Sequence, residues 1–73
     1  MRLTFENSFG EERELAIVSS EEEAFQKIQK FLSDHNFKSY YTRITFLEPT
    51  RRMYDVGSHT EFFYLYAEEG ETL

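Results

Sequence analysis

Asp55, Ser58 and His59 are the residues of this chain whose types could serve as orienter, nucleophile and base. A triad needs the imidazole to take the hydroxyl proton at one nitrogen while a carboxylate holds the other, a convergence that neighbours in one turn do not reach. Turn formation accounts for Gly57-Ser58-His59 instead. The other histidine, His35, follows Asp34 where a helix is expected to end, and its charge suits the negative end of the helix dipole. Two histidines and no cysteine leave a zinc site to be completed by carboxylates alone, and they also exclude a disulfide framework or redox dithiol. Gly10, Gly57 and Gly70 are isolated, so no glycine-rich loop is available to cradle phosphate. Carboxylates are plentiful enough for an acid–base pair, but a domain of this size has little room for a pocket of several hundred Å³. No catalytic residue, cofactor or metal is expected.

The carboxylates cluster in three places: Glu11, Glu12 and Glu14; Glu21 to Glu23; and Glu68, Glu69 and Glu71. Fourteen acidic against eight basic residues give a net charge of −6. That sign opposes binding to phosphate backbones, so direct contact with nucleic acid is not expected. Such clusters are ordinarily solvated faces or helix starts. The sharper reading is a negative surface matched to a basic groove on another protein, where complementary potentials speed encounter.

The elements that must position these groups follow from periodicity. Arg2-Leu3-Thr4-Phe5-Glu6 alternates with period 2, Asn7 to Gly10 is a turn cluster, and 14–18 is extended again. A hairpin is expected, with Glu11-Glu12-Arg13 either in its loop or in its pairing. Ser19-Ser20-Glu21-Glu22-Glu23 offers a capping box as Ser20/Glu23 or Ser19/Glu22. Ala24, Phe25, Ile28, Phe31 and Leu32 then recur on one helical stripe, and Asn36 is a stop, giving a helix over about 20–35. Strands are expected over 40–47, closed by Glu48-Pro49, over 52–56, and over 60–67. Residues 68–73 read as a frayed acidic tail. The fold class is therefore α+β: one domain over 1–67, strand order in sequence ββαβββ, four to five antiparallel strands with a single helix on one face.

One helix covers one face of such a sheet. Alternation in the last strand assigns Phe63, Leu65 and Ala67 to the core and Phe62, Tyr64 and Tyr66 to the other face. In the third strand Ile44 and Phe46 are the better core side, which leaves Tyr41 and Arg43 opposite. The uncovered face then carries Phe62, Tyr64, Tyr66, Tyr41 and Arg43, and tyrosine and arginine are residue types enriched at protein interfaces. Cross-strand aromatic pairing on a solvated face is the alternative.

Apolar runs are too short to span a membrane and no signal peptide precedes the first strand, so the expected location is the cytoplasm of a host cell. Over Tyr54-Asp55-Val56-Gly57-Ser58-His59-Thr60-Glu61-Phe62-Phe63 the chain resembles small acidic proteins of phages and integrative elements of Gram-positive bacteria. A subset of these are inhibitors of host defence, including anti-CRISPR proteins that occupy the nucleic-acid site of an effector. The resemblance implies a non-enzymatic interaction protein that binds a host protein with a basic groove. The resemblance brings no functional residues with it; the acidic clusters nominate Glu11, Glu12, Glu14, Glu68, Glu69 and Glu71 as contact residues, or the uncovered face nominates Tyr41, Arg43, Tyr64 and Tyr66. The alternative is a small assembly subunit that forms a homodimer through the open sheet face.

Overall fold

The computed structural model describes residues 1–36, 42–57 and 60–71, the side chains of Phe46 and Leu47 excepted. Ser58, His59, Tyr40 and Tyr41, like the last two residues, lie outside the described residues, and Phe46 as a core residue lies outside the described side chains. Five strands, β1 (Arg2–Glu6), β2 (Glu12–Ile17), β3 (Arg43–Glu48), β4 (Arg51–Asp55) and β5 (Phe62–Tyr66), and one helix, α1 (Glu21–Asp34), follow in ββαβββ order. They form one antiparallel sheet ordered β2-β1-β5-β4-β3. The last strand thus lies at the centre, against the first.

The β1–β2 turn is built on Asn7. Its side-chain carbonyl accepts from the backbone N–H of Phe9 at 2.9 Å and of Glu11 at 3.0 Å, while its own N–H donates to the Glu11 carbonyl. Gly10 takes φ of +80°, a region open to glycine at little cost. Closing the turn at Glu11 leaves Glu12 and Arg13 in the ladder, opposite Glu6 and Phe5. The strand therefore begins two residues earlier than the periodicity indicates, and a bulge between Leu3 and Thr4 absorbs Leu15.

Ser20 caps α1, its hydroxyl accepting from the Glu23 N–H at 3.1 Å. Glu23 reaches back one residue beyond the cap, to the N–H and hydroxyl of Ser19. At the other end Asn36 adopts φ of +55°, the left-handed conformation that stops a helix. Ala24, Ile28 and Leu32 are buried, and they meet Leu3 and Phe5 of β1, Phe63 and Leu65 of β5, and Tyr54 and Val56 in and just after β4. Phe5, Phe31 and Phe63 pack ring against ring at 4.7–5.4 Å between centroids. Arg52, buried on this face, forms an ion pair with Glu21 that ties the start of the helix to β4.

Four expectations change. Ile44 shares the helix-side face, opposite Tyr54, yet is 47% exposed, because β3 lies at the sheet edge beyond the helix. Ala67 falls just past β5 and is only half-buried, and Phe25 is 41% exposed on the flank of the helical stripe. Residues 68–71 are a turn rather than a frayed tail: the Glu71 carboxylate accepts from the Glu68 N–H at 2.7 Å and pairs with the Met1 ammonium at 2.9 Å. That ammonium also donates to the Val18 carbonyl, so Met1 and Glu71 meet beside the β2–α1 junction.

Candidate functional site

The face of the sheet away from α1 is assembled in three rows by strand register. Ile17, Arg2, Tyr66, Arg51 and Glu48 form the first; Glu14, Thr4, Tyr64, Met53 and Thr45 the second; Glu12, Glu6, Phe62, Asp55 and Arg43 the third. Directly opposed residues share a face, so the acidic cluster and the aromatic strand are one surface. Of the residues singled out from sequence, Glu12, Glu14, Arg43, Tyr64 and Tyr66 come together here. Glu11 is exposed in the adjoining turn. Glu68 and Glu69 are exposed in the C-terminal turn, and Glu71 is engaged by the N-terminus. Tyr41 lies outside the described residues.

Hydrogen bonds fix the middle of this surface. The Tyr66 hydroxyl and the Thr4 hydroxyl both donate to one Glu12 carboxylate oxygen at 2.6 Å, and the Tyr64 hydroxyl donates to Glu6 at 3.0 Å. The Arg51 guanidinium lies 4.8 Å from the Tyr64 ring centroid and 5.6 Å from that of Tyr66, and Arg2 lies 4.9 Å from the Tyr66 ring on its other flank. These long side chains roof the sheet. Tyr64 is accordingly only 7% exposed although no helix covers it, and Thr4 is buried. The alternation puts Tyr64 on the correct face, but its burial requires the neighbours that register supplies.

Electrostatics follow from this packing. Burial raises the Glu12 carboxyl, but the hydroxyl bonds from Thr4 and Tyr66 and the charges of Arg51 and Arg2 outweigh it, so the group lies below its ordinary value. Burial, then the bond to Glu6, pushes the Tyr64 phenol up to about 12, and burial with the Glu12 bond raises Tyr66. Both phenols therefore remain neutral donors and the carboxylate remains a charged acceptor throughout the neutral range. Glu6 and Glu12 stand directly opposite each other, a like-charge pair that costs stability unless cations or donors compensate it. The phenols and arginines supply that compensation.

Thr4, Glu6, Arg2 and Arg51 belong to the surface and were not singled out in the sequence. The alternation of the first strand carries the signal for three of them, because Leu3 and Phe5 in the core force Arg2, Thr4 and Glu6 to the other face. Among the described residues no group of three or more histidine or acidic side chains is arranged to hold a metal ion, and no helix is long and apolar enough to cross a membrane. Comparison with protein-family models, curated proteins and solved structures gives no match to the chain.

Proposed function

We propose that this chain is a non-catalytic binding protein that acts stoichiometrically on a basic surface of another protein, through the uncovered sheet face and its acidic edge. The observation that carries the reading is the register of β2 against β1, which makes Glu12 and Glu14 continuous with Tyr64 and Tyr66 while hydroxyl bonds hold Glu12 in place. A carboxylate already immobilised loses less freedom when a partner's arginine or lysine approaches, which favours affinity. Phenols beside it add contact area with low side-chain entropy.

The resemblance to small acidic phage and mobile-element proteins makes an inhibitor of anti-CRISPR type the favoured instance. In that case the partner is a host protein and the blocked site is a groove that otherwise takes nucleic acid. Negative groups presented on a rigid sheet at the β2 edge support this form of competition.

The test is capture of the partner from host lysate, its identification, and binding measured against salt. Glu11→Gln with Glu14→Gln, neither of which belongs to the hydroxyl network, should slow association and leave the fold intact. Nucleic acid held by the partner should compete. A complex whose affinity does not change with salt and which still admits nucleic acid would refute the proposal.

A further inference from the structure

Phe9 is 86% exposed, the most exposed large apolar side chain among the described residues. A lone ring at the surface needs no explanation by itself. This one stands in a turn whose backbone is held on both sides of it: the Asn7 side-chain carbonyl takes the N–H of Phe9 and of Glu11, and the Gly10 N–H donates to the Asn7 backbone carbonyl at 3.0 Å. The ring is therefore presented with little backbone freedom left to lose on contact. Glu11 stands two residues on, exposed, and its carboxylate makes no hydrogen bond or ion pair among the described residues. The helix side of β2 offers a receptor of matching size and charge. Leu15 and Ala16 of β2 and Phe31 of α1, each half-buried against the core, floor an open groove of about 230 Å³ whose rim carries Lys27, Lys30 and Asp34. A cavity of roughly 150 Å³ already admits benzene, so the groove has room for a phenyl ring. Lys30 is bonded to Asp34 at 3.0 Å, which leaves that pair neutral. Lys27 is exposed, makes no hydrogen bond or ion pair among the described residues, and supplies the net positive charge of the rim.

We propose that this groove receives the β1–β2 turn of a second copy of the chain, with Phe9 seated on Leu15, Ala16 and Phe31 and Glu11 paired to Lys27. The chain's own turn is not the occupant. Its ring is almost wholly exposed, and three residues of β1, about 10 Å, separate the Glu6–Glu12 end of the ladder, from which the turn projects, from the Leu3–Ala16 pair beside the groove. Turn and groove are different surfaces of one chain, so every copy both gives a ring and can take one. One ring and one ion pair cover far less than the roughly 1,200 Å² of a stable interface, so the association is weak and reversible. It uses the turn and the helix side of the sheet, and it stands independently of what binds the uncovered face.

Sedimentation of the full chain from micromolar to millimolar concentration, read beside the methyl NMR shifts of Leu15 and Ala16, decides it. The mass of the wild-type chain should rise with concentration, and both sets of methyls should shift with it in the ring current of Phe9. Phe9→Ser leaves the backbone bonds of the turn in place and should weaken association about tenfold or more while removing those shifts. Glu11→Lys sets two cations against each other at the contact, and Lys27→Glu sets two carboxylates, so each variant should associate more weakly alone. Mixed one to one, the two should recover at least the wild-type strength, because each contact between unlike copies then pairs opposite charges, an outcome that loss of folding would not give. A chain that stays monomeric to the highest concentration, a Phe9→Ser chain that associates like the wild type, Leu15 and Ala16 methyls that do not move, or charge variants that fail to recover on mixing would overturn the proposal.

Discussion

Tyr64 and Tyr66 sit on the same strand and the same face, and their surroundings separate them. Tyr64 is enclosed by its neighbours while Tyr66 is half-buried toward the β2 edge. Tyr64→Ser should therefore cost about 3–5 kcal/mol, as truncating a buried aromatic does, whereas Tyr66→Ser should cost about 1–2 kcal/mol in a denaturant titration, in line with a part-exposed site. Glu12 adds a pH dependence. Its carboxyl is lowered in the folded chain, so the stability it contributes is present above the ordinary carboxylate value of 4.5 and is lost as pH falls through the lower folded value. Thr4→Val or Tyr66→Phe removes a donor to that carboxylate and should flatten the loss of stability on acidification, measured by unfolding at a series of acidic pH values. Tyr64 gives the opposite sign. Its phenol is raised, so its contribution holds below pH 10 and disappears as pH rises through about 12. The phenolate absorbance step of that residue, absent in Tyr64→Phe, should coincide with alkaline unfolding. Sequence alone placed the phenols on the uncovered face, because period-2 alternation is local. Their hydrogen-bond partners were not legible, because Glu6 and Glu12 lie more than fifty residues away along the chain.

At the scale of elements the helix was the most legible part, since a cap, a stripe and a stop all lie within one stretch of sequence. Ser20→Ala should cost about 1 kcal/mol through the lost bond to the Glu23 N–H. Ile28→Ala should cost about 2–5 kcal/mol because Ile28 is fully buried against the sheet, while Lys27→Ala, at an exposed position, should change stability little. Equal losses at the two positions, followed by chemical denaturation, would contradict the packing of α1. Strand existence was legible too, but the start of β2 was displaced. Asn7 closes the turn by accepting two N–H groups, a side-chain device that hydrophobic alternation does not register. The exposure of Ile44 was also hidden, because an apolar residue on the correct face is buried only if its strand lies under the helix, and strand order is a property of no single segment.

Strand order is decided at the scale of the whole molecule, by the last strand. β5 lies between β1 and β4, so within the described sheet it is the strand that joins the β1–β2 hairpin to the β3–β4 hairpin. Each hairpin by itself exposes one apolar side to solvent, and an isolated two-stranded ribbon is marginal in water. Phe63 and Leu65 of β5 are fully buried between Phe5 and Leu3 on one side and Tyr54 and Arg52 on the other, so they complete the floor on which α1 rests. The pairing of β1 with β5 links residues about sixty positions apart, and its loop-closure entropy is regained only when both ladders of β5 form together. Folding should consequently be all-or-none with respect to the final strand. A chain ending at residue 61 should lack a cooperative unfolding transition and show little protection of helix amides from hydrogen exchange. Adding a peptide spanning 62–71 in excess should restore both in proportion to its concentration, and Phe63→Asp in that peptide should abolish the rescue. If the shortened chain kept a cooperative transition near that of the full chain, β5 would be an addition to an already stable sheet rather than the element that closes it.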